Sequence, residues 1–184
     1  MNETAQQYAQ RVVGYLEGKD PMEVLATTAR QLQKLIDGAP QKSLTAKPAP
    51  DKWSAATILA HLADSEIVYA YRLRLMLAAS GTSIQADDQD AWAAALDYAN
   101  EDPAASAEDF RINRERTLRM LKKLSKDQWQ CYGIHSERGK ETVRGTVELM
   151  AGHDLNHLRQ IQTLTEPVIG QRAGRQSKKS RRAP

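Results

Sequence analysis

An all-α fold, with four long helices packed as an antiparallel bundle, follows from three observations on the 184-residue chain. Ala (26) and Leu (18) far outnumber Val (7) and Ile (8), and small or unbranched apolar residues favour helices where β-branched ones favour strands. Apolar residues recur at helical intervals over four long segments. Helix caps, Pro and Gly punctuate those segments, and the connections between them let the helices bundle. With 41% apolar and 27% charged residues, the chain is long enough for one globular domain with a sizeable core.

The elements read in order. A polar opening segment, about residues 4 to 17, is expected to be helical and to end at Gly18. Asp20-Pro21 is an N-cap followed by proline at the first helical position. Val24, Leu25, Leu32, Leu35 and Ile36 then form an apolar stripe until Gly38-Ala39-Pro40 ends the first long helix. Residues 39 to 52 hold three prolines without periodicity and read as a loop. The second long helix runs from about Ser54 to Ala79, with Gly81 beyond it. A polar stretch with Asp87, Asp88, Asp90 and Trp92 follows, with room for a short helix. Phe110, Thr117, Leu118, Leu121 and Leu124 mark the third long helix, about Pro103 to Leu124. A turn at Ser125 to Trp129 and a Gly-bearing loop, residues 132 to 140, lead to the fourth, about Glu141 to Thr165, which Pro167 and Gly170 end. The bundle is thus expected over residues 1–170, followed by a flexible basic tail over 171–184.

That tail holds six basic residues and no acid, leaving 20 bases against 23 acids in the body. It reads as a solubilising end, whose other use would be weak, salt-sensitive contact with nucleic acid. No segment approaches the roughly 18 to 20 apolar residues of a membrane span, and Met1 to Gln7 resembles no signal peptide. One cysteine, Cys131, closes no disulfide within the chain. A cytoplasmic protein is expected.

The chemistry gathers on histidine. His153 and His157 lie one turn apart and about 40° apart around the fourth helix, a spacing at which two imidazoles can share one ion. Leu149, Met150, Ile161 and Leu164 surround them on the wheel, whereas Glu148, Asn156 and Arg159 fall outside, so both rings point inward. Buried imidazoles need partners. His61 occupies a similar stripe on the second helix with Ile58, Ser65, Val68, Tyr69 and Arg72. Packed side by side, the two helices would give a three-His site with an open position, the pattern of a catalytic metal. The blander reading is three hydrogen-bonded core histidines. His-Glu-x-x-His is missing, because Asp154 follows His153, and so are the paired Glu-x-x-His elements of a di-iron bundle. His135, in the loop before the last helix, is a candidate proton shuttle, substrate contact or fourth ligand, or an exposed histidine without a task. Cys131 has no base or orienting group nearby in sequence and reads as packing.

Trp53-Ser54, Ile58-Leu59-Ala60-His61-Leu62-Ala63-Asp64-Ser65-Glu66, Arg72, and His153-Asp154-Leu155-Asn156-His157-Leu158-Arg159-Gln160-Ile161 together resemble the DinB-like superfamily of damage-inducible helical-bundle metalloproteins. Pro48 to Ser54, the Asp-rich stretch ending at Trp92, Phe110 with Arg114, and Gly139 also fit, so the likeness spans about Gly18 to Leu164. The resemblance implies a four-helix bundle in which His61, His153 and His157 bind a divalent ion, zinc or nickel, and it implies a homodimer. Relatives of known chemistry include thiol S-transferases and thiol-dependent isomerases, and others are described as hydrolases. The implied function is therefore a metal-dependent enzyme acting on a small molecule by hydrolysis or thiol transfer, with a low-molecular-weight thiol as a possible second cofactor. A non-enzymatic metal- or ligand-binding bundle is the alternative. Arg72 and Tyr69 are candidate substrate contacts, with Arg72 alternatively an ion-pairing bridge between helices. Asp64, Glu66, Asp154 and Gln160 each lie within about a turn of a histidine and are candidates to hold a ring N–H.

Overall fold

A computed structural model describes residues 3–166, so the tail expected at 171–184 lies outside the described residues. The helices are α1 (Ala5–Gly14), α2 (Pro21–Gly38), α3 (Gln41–Thr45), α4 (Ala55–Ala78), α5 (Gln89–Ala95), α6 (Pro103–Leu121) and α7 (Val143–Thr165). Each long helix begins on a side-chain cap that satisfies a free backbone N–H. Asp20 accepts from Met22 N, Ser54 from Thr57 N, Asp102 from Ala104 N and Thr142 from Gly145 N. Thr4 and Gln7 form a reciprocal capping box on α1. The short helix α3 occupies part of the proline-bearing segment expected as loop, and α5 fills the Asp-rich stretch.

Four-helix architecture is present, and its order is informative. Val24 and Leu25 at the start of α2 share a core cluster with Leu73 and Met76 near the end of α4, Leu121 at the end of α6, and Val143 and Val147 at the start of α7. Leu32 of α2, Ile58 and Leu62 of α4, Phe110 of α6 and Ile161 of α7 form the opposite cluster. Thus α2 and α7 run one way, α4 and α6 the other. Both α2 and α4 pack on α6 and α7, whereas α2 barely touches α4 and α6 barely touches α7. Neighbours are therefore antiparallel in α4/α7 and α2/α6 and parallel in α2/α7 and α4/α6. Residues 79–102 make the parallel pair possible by carrying the chain back along the bundle. Tyr98, in a 3-10 turn on that return path, donates its hydroxyl proton to Asp64 of α4.

The loop expected at 132–140 is instead part of a three-stranded sheet. Strands β1 (Thr82–Ile84), β2 (Tyr132–His135) and β3 (Gly139–Thr142) lie in the order β1-β2-β3, the first pair parallel and the second antiparallel. Ile84 pairs with His135 in the first ladder, and His135 with Gly139 in the second. Gly133 permits the close approach, because a Cβ there would lie 2.3 Å from Ile84 Cδ1 and 2.7 Å from Cγ1.

A polar layer divides the two apolar clusters. Arg114 reaches from α6 into the bundle centre and donates to Glu66 of α4 at 2.6 Å, Asp154 of α7 at 2.6 and 3.0 Å, and the Leu25 carbonyl of α2 at 3.1 Å. Thr28 of α2 donates to Asp154 at 2.7 Å. One guanidinium with its fixed fork of donors thus ties all four long helices together at mid-height.

Candidate metal centre

His61 lies in the second turn of α4, and His153 and His157 lie on successive turns of α7. Because α4 and α7 are adjacent, the three rings meet. His61 Nε2 stands 3.0 Å from His153 Nε2, which stands 3.1 Å from His157 Nε2. One ligand atom from each lies within 4.8 Å of the others, and all three residues are buried. Tetrahedral coordination at bond lengths of about 2.0–2.1 Å spaces neighbouring imidazole nitrogens by roughly 3.3 Å. The three residues fit a divalent ion with only small adjustment of the rings.

Their protonation suits the same task. Burial pushes His61 down to about 3, helped by His157, and holds His153 well below the usual histidine range. Burial also lowers His157 to about 4, against the opposing effects of Gln160 and Asp154. Neutral rings are the ligand form. Gln160 Oε1 is 2.7 Å from His157 Nδ1. Accepting that ring proton leaves the Nε2 lone pair aimed at the other two rings. Trp53 packs against His61 with ring centroids 5.1 Å apart, and Tyr69 meets His153 at 6.0 Å.

The cluster opens onto two clefts. A 420 Å³ cavity reaches His61 and His153 beside Arg72, Asp87, Glu137 and Arg138. A 700 Å³ cavity reaches His157 beside Trp53, Tyr15, Ile58 and Leu164. Arg72 is both wall and bridge, since it donates to Asp87 at 2.6 Å and to the Gln85 carbonyl at 2.7 Å while lining the smaller cavity.

Other sequence candidates fall elsewhere. His135 is buried on β2, outside the convergent set, and its Nδ1 accepts backbone N–H groups of Glu137 and Arg138 at 3.2 and 3.4 Å. It braces the hairpin turn, and the exposed-loop reading of it is corrected. Cys131 packs half-buried against the core cluster at the sheet end. Of the four residues near the histidines, only Gln160 meets a ring nitrogen. Asp64 binds Tyr98, and Glu66 and Asp154 bind Arg114.

Two contributions escaped the sequence reading. The central role of Arg114 had a signal, because the residue falls between Phe110 and Leu118 on the apolar stripe of α6, where a cation needs buried acceptors. Helix α1 is expected from the sequence as a polar opening helix with no part in the site, yet Tyr8 lines both cavities. The 3- and 4-residue spacing of Tyr8, Val12, Tyr15 and Leu16 carries a packing face that could have shown this.

Comparison with known proteins agrees with the fold. "Putative metal-dependent hydrolase OB0413" of Oceanobacillus iheyensis is 24% identical over 140 residues, covering 76% of this chain and 80% of that protein. "Putative metal-dependent hydrolase YfiT" of Bacillus subtilis is 24% identical over 152 residues, covering 81% and 85%. The solved structure of Bacillus subtilis YfiT, described as "a probable metal-dependent hydrolase with an unusual four-helix bundle topology", superposes with a TM-score of 0.73 at 22% identity over 78% of this chain and 83% of that one. The DinB superfamily pattern matches residues 25–161, a span holding all four long helices nearly entire and all three converging histidines, and this chain belongs to the DinB superfamily.

Proposed function

We propose that the protein is a metal-dependent hydrolase of a small molecule, with His61, His153 and His157 as the protein ligands of a zinc ion. The single observation that carries this reading is the convergence of the three ring nitrogens of His61, His153 and His157 within 4.8 Å of one another at the junction of two clefts. A divalent ion held by three neutral imidazoles supplies a Lewis acid, lowering the pKa of the water it polarises from near 16 toward roughly 7. Neutral ligands leave its double charge uncompensated, which maximises that effect.

The chain's own residues do the remaining work. Gln160 fixes the His157 tautomer, while Trp53 and Tyr69 restrain the other two rings. Burial raises Tyr69 above the ordinary tyrosine range, so its hydroxyl stays protonated and can donate to developing oxyanion charge. Arg72, aligned by Asp87, faces the same cavity and can orient a polar substrate group. Glu137 lines that cavity too and can take up a proton from water. In the overall step, the water oxygen bonds to the electrophilic centre, the bond to the leaving group breaks, and the released proton passes to that group.

Elemental analysis of protein purified without nickel resin tests the reading. One equivalent of zinc in the wild type and none in His157→Ala supports it. Trace metal in both proteins would leave a bundle with core histidines, and one equivalent of nickel would reassign the ion. Turnover that requires an added low-molecular-weight thiol would replace hydrolysis with thiol transfer at the same site. The proposal extends to a cytoplasmic homodimer. Exposed Ile67 and Tyr71 on α4 share a 380 Å³ groove with Trp92 of α5, an apolar surface suited to a second copy.

A further inference from the structure

We propose that α1 is the specificity cap of this site and that Tyr8 is the partition between its two lobes. The inference rests on the hydrolase reading above and goes beyond it, because α1 precedes the segment, residues 25–161, matched by the superfamily.

Its seat is unusually close. A Cβ on Gly152 would lie 2.2 Å from the Val12 carbonyl oxygen, 2.5 Å from its carbon and 2.9 Å from Val13 N. These are backbone atoms, which cannot swing aside as the end of a side chain can. Only glycine lets α1 rest directly on α7, one residue before His153. Val12 and Leu16 are buried at this contact. Arg11 secures the outer side, donating to Glu3 at 2.8 and 2.9 Å and to the Tyr15 hydroxyl at 3.0 Å. Its guanidinium also lies 5.1 Å from the Tyr8 ring centroid.

From this seat Tyr8 reaches the linings of both cavities. The lobes differ chemically. Beside His61 and His153 the wall carries Arg72, Asp87 and Glu137, which would hold a polar or charged arm. Beside His157 it carries Trp53, Tyr15 and Leu164, which would hold an aromatic or aliphatic arm. The substrate class that fits is an amphipathic small molecule whose polar and apolar arms flank the bond that water cleaves. Tyr8 then decides how large the apolar arm can be and in which direction it lies.

Calorimetric titration of the full-length, zinc-loaded protein with two zinc-directed hydroxamates tests this: acetohydroxamate, which has no arm, and 3-phenylpropanohydroxamate, which has an aromatic one. The wild type is expected to prefer the aromatic probe by roughly tenfold, the size of one aromatic contact. Tyr8→Phe should keep that preference, because the ring does the partitioning. Tyr8→Ala should reduce it to about threefold or less, and Tyr8→Leu, the milder variant should Tyr8→Ala fold poorly, to an intermediate value. An unchanged preference in Tyr8→Ala or Tyr8→Leu, with zinc still bound, would overturn the cap and leave the hydrolase reading standing. A wild type that takes up no zinc would overturn both.

Discussion

Gln160 shows how much a single amide can decide. By accepting from His157 Nδ1 it selects the tautomer whose Nε2 lone pair faces the cluster. Gln160→Ala is expected to weaken zinc binding by about 10–100-fold without abolishing it, as measured by competition with a chromophoric chelator. His157→Ala should remove stoichiometric binding altogether. The same rings set an acid limit on the metal-free fold. Their folded pKa values lie below the ordinary histidine value, at about 3 for His61 and about 4 for His157. The unfolded chain therefore binds protons first as pH falls below about 6.5. Stability is fully present above that value and declines until pH reaches the folded values. The melting temperature of metal-free protein should fall steeply between pH 6.5 and about 4, and replacing His61 with Gln should make that slope shallower. The inward direction of all three histidines was legible in the sequence, because each sits on an apolar stripe. Which polar neighbour meets a ring was not, since several lie within one turn and only side-chain reach separates them.

Among the elements, α6 carries the most exposed risk. Arg114 is one cation against two buried carboxylates, and attraction to Asp154 and Glu66 holds its guanidinium charged despite burial. Arg114→Met would leave both acids buried without their cation, at an expected cost of about 3–5 kcal/mol, measurable as a lowered urea midpoint. Replacing Glu66 with Gln in that background should recover part of the loss. Contact between α1 and α7 has a steric counterpart. Gly152→Ala should lower stability by about 1–3 kcal/mol and loosen α1, visible as faster amide exchange over residues 5–14. The start of α2 was readable because Asp20 before Pro21 is a cap with a mechanism, whereas the caps Asp102 and Thr142 emerge only in the structure. The sheet was not readable, because strands of three or four residues are too short to show alternation. Its parallel pair also joins residues 82–84 to 133–135, a partnership no local pattern encodes.

At the scale of the whole molecule, the proposed dimer makes a direct prediction. Light scattering should report twice the chain mass of 20.5 kDa, and Tyr71→Glu should give the monomer by placing a charge in the apolar groove. Helix number was legible from composition and periodicity, but helix order was not, because a connection such as 79–102 can turn back at one end or travel the full length. That order has a kinetic meaning. Consecutive long helices sit diagonally in α2/α4 and α6/α7, and the remaining pair, α4/α6, runs parallel after a long return. No two successive long helices can close as a local hairpin, so the chain must pay the loop entropy of distant encounters before its main interfaces form. Refolding should accordingly be slower than for an up-and-down bundle of equal length, with closure of α2 and α4 onto α7 among the late events.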